Sequence, residues 1–166
     1  APDRYGRQHA FVAAPGEASV QVALLDTGLA FAAGTGTDPG CAAELARAEA
    51  AARKYQRGVW STPDVIKNAE SPGDILAKLG RFAVVEGKVA SARQAGATFY
   101  LNFGPRWTRD FAVIIRKPML ELLTRDNLDL KRLAGRRVRI RGWIERRGGP
   151  RIELRDKGQI EILDPL

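Results

Sequence analysis

At 166 residues and 18.1 kDa the chain has room for one good core or two small ones, and two small units fit it better. Cys41 is the only cysteine, which excludes an internal disulfide and a cysteine-based zinc site, and no apolar run approaches the roughly 18 residues that a membrane-spanning helix needs. The 27 Lys and Arg outnumber the 19 Asp and Glu, for a net charge of +8, and such a balance favours polyanions because each neutralised phosphate releases condensed counterions.

Tyr5 to Ala13 alternates weakly and ends at the turn signal Ala14-Pro15-Gly16-Glu17, so it reads as a strand feeding a hairpin or a helix. Ser19 is placed to cap a helix with Val20, Ala23, Leu24 and Thr27 on one face and Gly28 at its end. After a glycine-threonine loop over Gly34 to Gly40, a second helix is signalled by Asp38 as N-cap, Pro39 in the first turn and Gly58 beyond the last. Its apolar stripe is Cys41, Leu45, Ala48, Ala52 and Tyr55, and Glu49 with Arg53 makes a pair four residues apart. Ser61 to Gly73 has two prolines and no sustained period, and is read as a linker between domains at 1–60 and 74–166.

From Phe82 the texture changes to strands: Phe82 to Ser91, Thr98 to Phe103 and Asp110 to Arg116. Pro118 to Leu133 has helical spacing in Leu122, Leu130 and Leu133, with a break near Asn127. Strands then return at Arg136 to Glu145 and, after Gly148-Gly149-Pro150, at Arg151 to Leu154 and Gln159 to Leu163. Three strands, a helical connection and two or more strands suit a five-stranded Greek-key barrel of the oligonucleotide-binding (OB) type. The charge is divided along the same line: the first 70 residues hold 7 Lys and Arg against 8 Asp and Glu, and the rest hold 20 against 11.

Two patches in the basic half point to nucleic acid. In Arg136 to Ile144, period-two geometry sends Val138, Ile140 and Ile144 to one face and Arg137, Arg139, Arg141 and Trp143 to the other. Three arginines at about 6.8 Å intervals approach the spacing of phosphates along an extended strand, and Trp143 offers a stacking platform. The plainer reading is an arginine ladder partnered by Glu145, Glu153 and Glu161. The second patch runs from Tyr100 to Asp110. Phe99, Leu101 and Phe103 point to a core, which leaves Tyr100 and Asn102 on the opposite face near Arg106, Trp107 and Arg109. A single-stranded nucleic acid is the expected partner of such interleaved aromatic and basic residues.

The segment from Asp3 to Trp60, with Tyr5-Gly6-Arg7, Gly28-Leu29-Ala30 and Gly58-Val59-Trp60, resembles the second half of a thermonuclease (staphylococcal nuclease-like) domain. The resemblance implies calcium-dependent phosphodiester hydrolysis of DNA or RNA, in which Arg7 matches a catalytic arginine and Arg4 and Tyr5 match positions beside the substrate's terminal phosphate. The family's metal-binding carboxylate motif is found nowhere in these residues, so no metal site and no calcium are expected in this chain alone. The expected fold class is therefore α+β, mainly β: a partial nuclease-domain hairpin with two helices, then the OB-type barrel. Residues 1–60 are expected to begin in the middle of a protein and to need a cover for their helix faces, from an upstream segment or a second copy. Catalysis is expected from the complete protein and not from this chain, and members of the family are often exported. The alternative is a non-catalytic OB-type binding module with a helical protein-docking segment. His9, the only histidine, has no nucleophile pattern around it and reads as structural or solvated.

Overall fold

The computed structural model describes residues 5, 6, 10, 12, 13, 15, 16, 19–35, 38–126 and 128–164. Two compact units result, Ala1–Ala32 with Thr37–Pro63 and Ala33–Gly36 with Asp64–Leu166.

The first unit is built on two helices, α1 (Val20–Asp26) and α2 (Pro39–Lys54). The Ser19 hydroxyl accepts from the Val22 N–H at 3.2 Å, and the Asp38 carboxylate accepts from the Gly40 N–H at 2.8 Å, so both predicted caps satisfy open N–H groups of a first turn. Leu25, Ala32 and Ala48 form a small core with Val22, Ala30 and Leu45 around it. The buried face of α1 is thus Val22 and Leu25, and not the predicted stripe: Val20 and Leu24 are exposed. Tyr55 is also exposed, and its place in the buried surface of α2 is taken by Glu49. Glu49 is 1% exposed; it accepts from the Ala32 N–H at 2.8 Å and meets Arg53 at 3.6 Å.

None of the described residues of Tyr5 to Ala13 lies in a strand. The backbone of Ala10 and Val12 is satisfied locally instead: the Gln21 amide donates to the Ala10 carbonyl at 2.7 Å and accepts from the Val12 N–H at 3.2 Å. Helix α2 ends at Lys54 with Tyr55 as its C-cap, and Gln56 after it adopts the left-handed φ of 51°, two residues before the predicted glycine. Gly28 and Gly58 lie back to back, because a Cβ on Gly28 would sit 2.1 Å from the Arg57 carbonyl oxygen. Trp60 then packs edge-on against Phe31 at 5.2 Å.

The second unit contains β1 (Ile66–Asn68), α3 (Pro72–Leu76), β2 (Phe82–Lys88), β3 (Ser91–Ala95), β4 (Thr98–Asn102), β5 (Ala112–Arg116), α4 (Lys117–Arg125), β6 (Arg137–Trp143), β7 (Glu145–Arg147), β8 (Gly149–Leu154) and β9 (Ile160–Ile162). They form two mixed sheets, ordered β1-β2-β6-β9 and β3-β4-β5-β8-β7. The chain turns a corner from one sheet to the other between β2 and β3 and between β6 and β7, so the pairs β2·β6, β3·β4, β4·β5, β5·β8 and β7·β8 follow one another around the unit. This is the expected Greek-key arrangement of OB type with two differences. The ladder is not one continuous closed cylinder, and β1 and β9 extend the four-stranded sheet at its edges.

Ile66–Asn68, within the segment predicted as a linker, pairs in parallel with Val84–Glu86. Its three residues are too few for a period to be visible in sequence. The predicted strand from Phe82 to Ser91 is broken at Val89 and Ala90, where the corner falls. The core is a single cluster that includes Phe99, Leu101, Phe103, Phe111, Val113, Ile115, Val138, Ile140 and Ile152. Helix α4 closes one part of it with Met119 and Leu123, and leaves Leu122 outside. Each such side chain stabilises the fold by about 1.5–3 kcal/mol on full burial. Leu130 and Leu133, read as helically spaced, lie buried in a 3-10 turn over Leu130–Leu133; the expected break at Asn127 lies outside the described residues.

Candidate nucleic-acid interface

Strand β4 sends Phe99 and Leu101 into the core, so Tyr100 and Asn102 stand on the outer face of the five-stranded sheet. The register aligns Arg93, Tyr100, Ile114 and Glu153 in one cross-strand row, and Ser91, Asn102, Ala112, Arg151 and Glu145 in the next. A groove of about 350 Å³ opens on this face, lined among others by Arg93, Tyr100, Asn102, Trp107, Asp110 and Arg147.

The loop after β4 carries Trp107 to the rim of the groove, where it is 67% exposed. Several contacts fix that loop. The Asp110 carboxylate accepts from the Arg106 N–H at 2.7 Å, while the N–H groups of Arg109 and Asp110 each donate to the Arg106 carbonyl at 2.8 Å. On its other side the loop rests against the β7–β8 turn. Gly148 there has a φ of 77°, and a Cβ on it would lie 2.7 Å from the Thr108 carbonyl oxygen. A large exposed aromatic on a braced loop loses little entropy when it meets a ligand.

The cations at the groove differ in availability. Arg151 is held by Glu145 at 2.9 Å, and Arg116, on the same sheet, is held by Glu153 at 2.9 Å, a hydrogen bond that raises the guanidinium pKa above its ordinary value. Arg93 and Arg147 are exposed and carry no ion pair among the described residues. These two were not among the sequence-predicted contacts. Arg93 lies past the predicted end of its strand, and the only signal for Arg147 was its position immediately before the Gly148-Gly149 turn.

The remaining predicted contacts are divided. Arg106 and Arg109 are exposed on the Trp107 loop but do not line the groove. Arg137, Arg139, Arg141 and Trp143 stand on β6, in the other sheet. Arg137 is exposed and lines a separate groove with Lys67, Lys88 and Glu86. Trp143 is exposed and packs edge-on against Phe82 at 6.2 Å.

Arg139 and Arg141 correct the expected row of free arginines, since both are buried. The cause is register. Glu86 faces Arg139 from β2 and Glu161 faces it from β9, and the guanidinium donates to each at 2.6 Å. Arg141 meets Glu161 at 3.8 Å. Burial opposes the charge of Arg139, yet the hydrogen bonds to Glu161 and Glu86 hold its pKa above the ordinary arginine value. Of the three carboxylates in the predicted ladder, Glu161 is the one that meets these arginines among the described residues.

Arg4, Arg7 and His9 lie outside the described residues, and Tyr5 is an exposed turn residue. Among the described residues no three His, Cys, Asp or Glu side chains converge in a way that could hold a metal ion. Calcium asks for six to eight oxygen ligands, so the described residues do not fit it. Among the same residues no helix is long and apolar enough to cross a membrane.

A family model, Staphylococcal nuclease homologue, matches residues 1–62, which bears out the resemblance of that segment. No curated protein matches the chain. Among solved structures, the chain is similar to an OBody bound to hen egg-white lysozyme, at 22% identity over 57% of this chain and 91% of that one, with a TM-score of 0.39. It is also similar to a putative aspartyl-tRNA synthetase from Leishmania major Friedlin, at 6% identity over 61% of this chain and 21% of that one, with a TM-score of 0.43. A third is the S. pombe Stn1-Ten1 complex, at 14% identity over 51% of this chain and 59% of that one, with a TM-score of 0.37.

Proposed function

We propose that the chain works on nucleic acid, and that its second unit holds a single strand across the groove of the five-stranded sheet. One observation carries this reading: Tyr100 and the exposed Trp107 share a groove with Arg93 and Arg147, two arginines that no carboxylate among the described residues neutralises. Stacking on aromatic faces and neutralisation of phosphates are the two demands of single-strand binding, and stacking contributes about 1–3 kcal/mol per base. The match of residues 1–62 to the nuclease family gives the polyanion a chemical purpose, phosphodiester hydrolysis. In that role Arg7 would stabilise the charge that develops on the phosphoryl oxygens, and Arg4 and Tyr5 would hold the terminal phosphate. The carboxylates needed to bind calcium are not among the described residues, and the chain alone is proposed to bind without cleaving.

Titration of the full chain with a short oligothymidylate, followed by tryptophan fluorescence across a salt series, tests the reading. Binding should weaken linearly in log salt, with a slope of about −0.7 per phosphate neutralised. No binding at low salt, or binding indifferent to salt, would overturn it. Adding calcium to the complex should produce no cleavage of the oligonucleotide; cleavage would overturn the proposal that this chain is inactive.

A second reading, a protein-docking role for the first unit, is favoured by one observation. Val12, Val20, Leu24 and Leu29 are 41% to 69% exposed in a unit whose own core is small. If a second copy covers them, sedimentation should show a dimer that Leu24→Ser and Leu29→Ser together dissociate. A monomer at high concentration would dismiss a second copy as the cover.

A further inference from the structure

We infer that the groove reads the base as well as the phosphate, and favours guanine over thymine or uracil. This rests on the groove being the nucleic-acid site proposed above. Asn102 lines the groove although only 5% of it is exposed. Its amide nitrogen donates to the Ser91 hydroxyl at 3.0 Å, and its carbonyl oxygen has no protein partner among the described residues. That oxygen is not sealed from solvent, since the only such unpartnered side-chain atom among the described residues is the Trp60 indole nitrogen. Asp110 shows the same division. One carboxylate oxygen accepts from the Arg106 N–H, and the other has no protein partner among the described residues.

The two side chains are placed to act on one base. Ala112 faces Asn102 across the β4–β5 ladder, and Asp110 is two residues before it. Asp110 stands in the bend that leads into β5, and it lines the same groove as Asn102. Tyr100, two residues from Asn102, and Trp107 on the adjacent loop supply faces on which any base stacks.

What this leaves for the base edge is a pair of acceptors, one of them charged and acceptor-only. Bases in a single strand present their Watson–Crick edges to such a pair. Guanine offers adjacent donors there, N1–H and the 2-amino group. Thymine and uracil offer one N–H flanked by two carbonyl oxygens, which would face the protein's own acceptors without a proton between them. Adenine and cytosine, with one amino group beside a ring acceptor, fall between. A largely buried acceptor left without a donor loses the water it had and gains nothing in return.

The test compares three strands of equal length on the full chain at fixed salt: oligothymidylate, the same strand with dG interspersed, and the same with deoxyinosine in place of dG. Deoxyinosine keeps N1–H and lacks the 2-amino group. The dG strand should bind about tenfold more tightly than oligothymidylate, within the range of discrimination for a good base contact, and the inosine strand should fall between them. Asp110→Asn supplies the second reading. Its new carbonyl can still accept from the Arg106 N–H, so the loop remains braced while an amide donor replaces the free acceptor. In that variant the preference for dG should shrink toward none or reverse. Equal affinity for all three strands would overturn base reading and leave the binding site standing. A preference unchanged in Asp110→Asn would overturn the part assigned to Asp110. No binding of any strand at low salt would overturn the binding site itself.

Discussion

Tyr100 stands directly opposite Arg93 across the β3–β4 ladder, with Ile114 opposite it on the other side. Directly opposed side chains have Cβ atoms about 4.5–5.5 Å apart. In the proposed binding mode, a phosphate held by the guanidinium would keep its neighbouring base within reach of the phenol ring.

Truncating the aromatics should lower affinity without changing salt dependence. Tyr100→Ala and Trp107→Ala are each expected to weaken oligothymidylate binding by about 1–3 kcal/mol, while the slope of log affinity against log salt stays the same. Titration of each variant at several salt concentrations checks both halves of the statement.

Arg93→Ala and Arg147→Ala should behave in the opposite way. Each is expected to lower the steepness of the salt dependence by about 0.7, the single-strand value for one phosphate. Arg139→Ala should leave the slope unchanged and lower stability instead. It removes the cation between Glu86 and Glu161, and breaking a buried pair from one side costs about 3–5 kcal/mol, with the lower end fitting here because Glu161 is half exposed. Urea denaturation separates this loss from any change in binding.

Gly148→Ala should disturb the groove from outside it. Its left-handed φ costs a non-glycine residue about 1–2 kcal/mol, and the new Cβ would press on the Thr108 carbonyl. Oligonucleotide affinity should fall along with stability, and quenching of Trp107 by acrylamide should change as the loop shifts.

Lys157 and Asp126 supply a pH test. Their ion pair spans 2.8 Å, and the hydrogen bond to Asp126 raises the lysine pKa above its ordinary value. A group whose pKa is raised on folding stabilises the folded state below its unfolded pKa, and that contribution disappears as pH rises through the folded pKa. The loss therefore belongs to the alkaline side. An NMR titration of the Lys157 side chain should show the elevated value, and Asp126→Asn should return it toward the ordinary lysine range.

Glu49 anchors the small first core. Glu49→Ala leaves the Ala32 N–H without the carboxylate that now accepts from it, and should cost the unit about 1–3 kcal/mol. Glu49→Gln keeps an acceptor for that N–H and should lose less, as thermal melts of the two variants would show.

The sequence alone was enough to determine the caps at Ser19 and Asp38, the alternation that buries Phe99 and Leu101, the positions of the longer strands in the basic half, and the resemblance of residues 1–62 to the nuclease family. These are local matters, set by side chains within a few positions of one another or by a motif read in order. Tertiary structure decided which charges are available. Arg93 and Arg139 are both strand arginines, but only Arg139 has glutamates in register on both sides. Period-two geometry can say which face a side chain takes, and cannot say what the next strand sets opposite it. The same holds for Tyr100, Trp107 and Arg147, which come from a strand, a loop and a distant hairpin and share a groove only because β5 pairs in parallel with β8 and so brings the Gly148 turn against the Trp107 loop.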